Sequence, residues 1–339
     1  MLKKFSLALM MSALVVSLAA CGGSSSSSAG KPTGSDGYDM TYIVTDDSGY
    51  LNFLWHDAVE AADSLGINLD VKYAGEDSNR VTDCIAQARA QKKDAVILNV
   101  VNSEDAEGCL EAAGDMKVVF INRIPADISI LSENAAAVCS DEKLSGGFQG
   151  DFLVKTFNDK GMKEVRYLFL QGTPGLIHTD LRSSVPFEKL EAAGIKMTPA
   201  AETILGDYKR STAQTLMNDL LEGPDGKNLK FDCIISNNDE MAIGAITSLK
   251  DHGYDPAKYT IVGIDGLPDA LAAIEKGEMA MSVYQNSKGQ ANGAICAAKN
   301  MIDGKAITDG TDYVTSEESE YVIYVPFEEI TAANLNDYK

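Results

Sequence analysis

From Asp39 onward the chain alternates short apolar runs rich in β-branched residues with longer stretches whose apolar positions recur at helical spacing. Residues 40–45 (MTYIVT) read as a strand, and an amphipathic segment from about residue 52 to 65 stops at Gly66. Residues 68–73 (NLDVKY) follow as a strand, then a helix over 78–91, the run 95–101 (AVILNVV), a helix over 103–113 and the run 118–122 (VVFIN). The rhythm restarts after Ser140 with a long helix near 142–158, then 165–170 (VRYLFL), 233–236 (CIIS), 260–264 (TIVGI) and 281–284 (MSVY). Strands that are apolar throughout and separated by helix-length segments predict parallel sheets covered on both faces, an α/β fold of doubly wound type. Two successive units of similar size predict two lobes with a cleft between them.

In such sheets ligands gather beyond the carboxyl ends of the strands. Polar residues stand there at nearly every opportunity. Asp46 and Asp47 follow the first strand, Asn99 ends the third, and Asn122 and Arg123 follow the fourth. In the second unit Asn237, Asn238 and Asp239 follow CIIS, Asp265 follows TIVGI, and Gln285 follows MSVY. Any one of these is accounted for as a helix cap or turn former. Their recurrence points to a polar ligand.

The segment before the first strand changes the picture of where the protein works. Lys3 and Lys4 precede an apolar run over 5–18, then Ala19, Ala20 and Cys21, the basic, apolar and small-residue order of a secretory signal. The run falls short of the about 20 apolar residues a membrane span needs, so cleavage is expected. Leu18-Ala19-Ala20-Cys21 resembles the bacterial lipoprotein box, which makes residues 1–20 a signal peptide and Cys21 the lipidated residue. Residues 21–38, rich in Gly and Ser, are expected to form a flexible tether to the membrane.

What remains is about 300 residues, a length that admits two lobes or one barrel. The formal charge of −21, from 50 acidic and 29 basic residues, excludes nucleic acid and anionic membrane surfaces as partners. Cys84, Cys109, Cys139, Cys233 and Cys296 show no metal-type pairing and read as buried small hydrophobes, with a Cys84 to Cys109 bridge as an alternative. His56, His178 and His252 are scattered, and no nucleophile elbow, phosphate loop or metal-ligand spacing occurs. Neither an enzyme nor a cofactor or metal site is predicted. The polar set instead suits a neutral, hydroxyl-rich ligand, because carboxylates accept from hydroxyls while arginine and amide nitrogens donate to ring oxygens.

Five segments carry a family resemblance: VVFINRIP (118–125), Gly172-Thr173-Pro174-Gly175 with the following Arg182, SNNDEMAIGA (236–245), GIDGLPDAL (263–271) and DGKAITDGTDY (303–313). In these the chain resembles the bacterial periplasmic sugar-binding proteins of the ribose and glucose/galactose type, over essentially its whole mature length. The resemblance implies the type I periplasmic binding protein fold, two doubly wound parallel-sheet lobes joined by a three-segment hinge. It places a first lobe at 39–140 plus 286–324 and a second at 141–285 plus 325–339, with crossings near Ser140, Gln285 and Val325.

The same resemblance implies that Asn99, Arg182, Asn238 and Asp265 bind sugar hydroxyls or the ring oxygen, and that Asn122 and Arg123 form a strand-end pair touching the ligand. Asn122 stands where ribose binders have an acid, and Gln285 follows the ribose branch. Tyr208 falls at the family's stacking position; on the opposite wall Leu51 aligns with the expected phenylalanine, so Tyr50 takes that role after a small shift, with Trp55 in the core. Leu176 and His178 replace the His and Asp of the glucose/galactose pattern, which puts His178 either on the ligand or in the cleft wall, and the galactose branch's calcium loop is missing.

The function so implied is capture of a monosaccharide, galactose/glucose- or ribose-like, and its delivery to an ABC permease with a separate ATPase, by a monomer tethered through Cys21. A sensor of sugar or autoinducer-2 feeding a receptor or chemotaxis system is the alternative. Loss of Arg182 or Asp265 is expected to abolish ligand-induced stabilisation and to leave the melting of the free protein nearly unchanged.

Overall fold

A computed structural model describes residues 37–224 and 226–339. The signal over 1–20, Cys21 and nearly all of the expected tether lie outside the described residues. The tether's last position is part of the folded body: Tyr38 packs against the first lobe's core and its hydroxyl donates to Asp303 at 2.7 Å.

The chain begins with β1 (Asp39–Val44), α1 (Gly49–Ser64), β2 (Asn68–Tyr73), α2 (Ser78–Ala90), β3 (Ala95–Leu98), α3 (Ala106–Ala113), β4 (Lys117–Ile121) and β5 (Ala135–Cys139). It continues with α4 (Glu142–Asp159), β6 (Glu164–Gln171), α5 (Ile177–Ala192), β7 (Lys196–Pro199), β8 (Ile204–Leu205), α6 (Arg210–Glu222) and β9 (Cys233–Ser236). Next come α7 (Asp239–Asp251), β10 (Thr260–Asp265), α8 (Pro268–Glu275), β11 (Met281–Gln285), α9 (Ser287–Ile302), β12 (Val322–Tyr324) and β13 (Phe327–Thr331).

Two sheets result. The first has the order β12-β5-β4-β3-β1-β2 and the second β13-β11-β10-β9-β6-β7, with β8 beside β6. Every pair is parallel except β11 with β13. Three short segments carry the chain between the sheets: from β5 to α4, from β11 to α9, and from β12 to β13. They are tied together, since Val325 N donates to Cys139 O at 2.7 Å and Gln290 Nε2 to Ser140 Oγ at 2.9 Å.

Apolar runs make the sheet centres because both faces are covered. All four residues of β3 (AVIL) are buried, and so are Val119 and Ile121 of β4. Each such side chain contributes about 1.5–3 kcal/mol relative to exposure. Helix starts are set by side chains that accept from otherwise unpaired backbone amides: Asp77 for α2, Asp141 for α4, Asn238 for α7 and Asn286 for α9. α4 and α5 pack with little space between them, for a Cβ on Gly146 would lie 2.9 Å from the Leu181 carbonyl oxygen.

Several elements differ from the sequence reading. The run expected over 95–101 ends as a strand at Leu98, and the helix expected from 103 opens with a single 3-10 turn, Ser103–Asp105. β5, with the sequence AAAVC, forms because β4 and β12 flank it; alanine has little strand preference of its own. Trp55 is partly buried against the first core and donates to Asp47 Oδ1 at 2.8 Å, in keeping with a core role. Cys84 and Cys109 are free thiols, so the alternative of a bridge between them does not hold, and Cys109, Cys139 and Cys233 are buried.

Candidate ligand-binding site

The carboxyl ends of the strands from both sheets converge on a cleft. From the first lobe it is lined by Tyr50 in the first turn of α1 and by Asn122 and Arg123 after β4. From the second lobe come His178 and Arg182 on α5, Tyr208 before α6, Asn238 after β9, Asp265 ending β10 and Gln285 ending β11.

Asn99 is the sequence-selected residue that does not reach the cavity. It is buried one layer behind, where its Nδ2 donates to Ile121 O at 3.0 Å and to Asn122 Oδ1 at 3.1 Å, and its Oδ1 accepts from Thr45 Oγ1 at 3.2 Å. Its amide thus holds the end of β4 and Asn122, which sits in the left-handed region at φ 66°. Tyr208 (φ 59°) and Asp265 (φ 123°) are also held at positive φ. Such conformations cost on the order of 1–3 kcal/mol each and persist only where the surroundings impose them.

Glu142 was missed. It begins α4 just past the first crossing and grips Arg182 with both oxygens, Nε to Oε2 at 2.8 Å and Nη2 to Oε1 at 2.8 Å. Paired forks of this kind are the strongest and most directional ion pairs. The guanidinium is further held by the Asn237 carbonyl at 3.1 Å and lies 3.8 Å from Asp265 Oδ1. Burial opposes its charge, but Glu142 outweighs that and holds the Arg182 pKa above the usual value. An acid directly after a helix-capping Asp141 carries no local sign of such a partner; only the packing of α4 on α5 reveals it.

Tyr208 is fixed by its hydroxyl contact with Thr179 Oγ1 at 2.7 Å and by Gly172 beneath its ring, where a Cβ would come within 2.1 Å of Tyr208 Cζ. Gly172, the first glycine of the Gly172-Thr173-Pro174-Gly175 loop, is therefore the seat of the Tyr208 ring. Asn238 both caps α7 through Met241 N at 3.0 Å and donates to the Tyr208 carbonyl at 3.3 Å.

The charge of the site is nearly balanced. Glu142 and Arg182 neutralise one another, and the lining also carries Arg123, Asp46 and Asp265. Burial, and then Arg182 and Arg123, hold the His178 pKa well below its ordinary value, so its imidazole is neutral. Burial raises Asp265 well above the carboxylate range, opposed by Arg182 and assisted by Asp239 and Glu142. Two lining groups are buried without a partner among the described residues: the Tyr50 hydroxyl and the Gln285 Nε2. Such orphans are costly, about 1–3 kcal/mol each, unless water or a ligand satisfies them.

Residues 40–306 match the family model described as periplasmic binding protein domain. The chain is 31% identical over 277 residues to a protein of Rhizobium meliloti provisionally designated rhizopine-binding, covering 81% of this chain and 83% of that one. It is likewise 31% identical over 255 residues to the D-galactose/methyl-galactoside binding periplasmic protein of Haemophilus influenzae, covering 72% and 74%. The chain belongs to the periplasmic sugar-binding protein family. Its fold also matches the solved structure of a Bacillus halodurans ABC transporter solute-binding protein with bound myo-inositol, with a TM-score of 0.74 at 23% identity, covering 90% of this chain and 99% of that one. Two parallel-sheet lobes around a polar cleft are the type I periplasmic binding protein architecture.

Proposed function

We propose that this protein captures a neutral monosaccharide or a closely related ring polyol between its lobes and delivers it to an ABC permease driven by a separate ATPase. The observation that carries the reading is the pair of buried, unpartnered donors, Tyr50 Oη from the first lobe and Gln285 Nε2 from the second, beside a charge-balanced set of amides and carboxylates. Ring hydroxyls supply acceptors for those donors and donors for Asp265, while Tyr208 offers a face for the C–H side of the ring. The relatives are named for galactose, galactofuranose and ribose, which supports a sugar of this general size.

Closure by rotation at the three crossings encloses the ligand and presents a joined surface to the permease. In this reading the protein works as a monomer outside the cytoplasm, carries a lipid on Cys21 that holds it near the permease, and catalyses no reaction. A ligand that binds only the folded state stabilises it by about 2.7 kcal/mol at a hundred times its dissociation constant. Thermal melting and calorimetry with D-galactose, D-glucose, D-ribose, D-allose and myo-inositol are expected to show a saturable shift with at least one. Flat responses to all of them at millimolar concentration would rule the reading out.

A further inference from the structure

Asp239 stands beside the cleft without lining it. It is the first residue of α7, directly after Asn238, and is completely buried. Its Oδ2 accepts from Leu267 N at 2.9 Å, and both carboxylate oxygens lie 2.8 Å from Ser282 Oγ. Ser282 Oγ in turn accepts from Gly266 N at 3.1 Å. One carboxylate therefore joins the chain after β9, the turn after β10 and a residue within β11. Gly263 makes room for it, since a Cβ there would come within 2.3 Å of Asp239 Oδ1.

Each of these attachments sits next to a side chain that lines the cleft. Asn238 precedes Asp239, Asp265 stands two residues before Leu267, and Gln285 ends β11 three residues after Ser282. Strand pairing does not reach all of them: the paired register of β9 and β10 ends at Ile235 and Val262, three residues short of Asn238 and of Asp265. Beyond it the Asp239 carboxylate takes over the connection. Leu267, the residue that opens α8, supplies no side-chain cap of its own, so the turn relies on Asp239. Asp265 depends most on this tie. Its backbone is held at φ 123°, and its Oδ1 lies 3.8 Å from Arg182 Nη1, outside hydrogen-bonding distance, so the backbone aims its carboxylate. A buried carboxylate opposes folding unless hydrogen bonds recover the loss, and a satisfied buried network of this kind makes its surroundings rigid.

We infer that Asp239 is a positioning residue for ligand capture, its carboxylate setting the spacing of Asn238, Asp265 and Gln285 around the bound ring. The inference rests on the sugar reading above and adds to that site a residue that acts on the ligand only through others.

Titration calorimetry on the full chain tests it with whichever of D-galactose, D-glucose, D-ribose, D-allose and myo-inositol binds the parent most tightly. Asp239→Ala, which takes the acceptor away from Leu267 N and Ser282 Oγ, is expected to bind about tenfold or more weaker than the parent. Asp239→Asn keeps the side-chain shape and one acceptor oxygen, and is expected to bind at least about threefold tighter than Asp239→Ala. Leu249→Ala empties a buried position near the other end of α7, about 15 Å along the helix, and lowers the melting temperature of the free protein. Its affinity is expected to stay within about threefold of the parent's, which separates positioning from general loss of stability. If circular dichroism shows that Asp239→Ala does not fold, Ser282→Ala takes its place, with an expected loss of about threefold or more. Parent-like affinity in the variant used, no recovery by Asp239→Asn, or an equal loss in Leu249→Ala would overturn the inference and leave the sugar reading standing. Absence of binding by every compound would overturn the sugar reading and this inference with it.

Discussion

Lys209, at the start of α6 in the second lobe, reaches across to Glu76 of the first lobe, with Nζ 3.1 Å from Oε2. Both side chains are about half exposed, and this ion pair spans the two lobes. Exposed pairs contribute roughly 0.2–1 kcal/mol and fade with salt. Lys209→Ala and Glu76→Ala are therefore each expected to weaken ligand binding by no more than about fivefold. The loss shrinks at high ionic strength, and the double variant is no worse than the singles. Calorimetry at low and high salt checks this; a salt-independent loss would show that the pair does not act as a latch.

Arg182 and Asp265 are expected to behave differently when removed, which corrects the expectation that the free protein would tolerate both. Arg182→Ala strips Glu142 of its bidentate partner in a nearly buried setting, a change that costs about 3–5 kcal/mol in comparable pairs. Its melting temperature falls and ligand-induced stabilisation disappears. Asp265→Asn removes a carboxylate that burial disfavours, so the free protein is expected to keep or raise its melting temperature while losing the ligand response. Equal destabilisation of both free variants in a thermal melt would contradict the pairing.

Gly172→Ala tests the seat of Tyr208. A Cβ at that position overlaps the ring, so the tyrosine must swing away from Thr179 and from the cavity. Ligand affinity is expected to fall about tenfold or more, a loss on the scale of the about 0.5–1.5 kcal/mol of an aromatic contact plus the disturbed hydrogen bond. Tyr208→Phe, which keeps the ring, is expected to lose less, and an order of effect opposite to this in parallel titrations would remove the stacking role.

Asp239 sets a pH dependence. Its carboxylate is buried, accepts from Leu267 N at 2.9 Å and from Ser282 Oγ at 2.8 Å, and thereby holds the turn after Asp265. Burial pushes its pKa up to about 7 from an ordinary 3.8, against the pull of those hydrogen bonds. The folded state thus binds the proton more tightly than the unfolded chain. This contribution to stability is fully present below about pH 4 and is lost as pH rises towards 7. Asp239→Asn is expected to flatten the melting-temperature profile across that window. A variant whose profile falls as steeply as the parent's would refute the assignment.

Cys21 carries the lipid in the proposed function. Metabolic labelling with a radiolabelled fatty acid in a bacterial host is expected to mark the parent and not Cys21→Ser, and the variant is expected to leave the membrane fraction. Label retained in the variant would relocate the anchor.

Much of the fold was legible along the chain because a parallel strand buried on both faces is a local signal: β1, β4, β9 and β10 stand where the apolar runs stand. The site residues at strand ends were legible for the same reason, since Asn122, Asn238, Asp265 and Gln285 are punctuation in that pattern. β5, β12 and β13 were not, because short segments such as AAAVC become strands only through neighbours far away in the chain.

The polar termini of the strands, the two-unit rhythm and the absence of catalytic motifs follow from residue order alone, because each depends on neighbours within a few positions. Which of those polar residues faces the ligand does not. Asn99 and Asn122 end neighbouring strands, yet one is consumed behind the wall and the other lines it. Glu142 joins the site only because α4 and α5 approach closely enough for its carboxylate to meet Arg182. Those choices are made by side-chain packing between segments distant in sequence, and no local pattern records them.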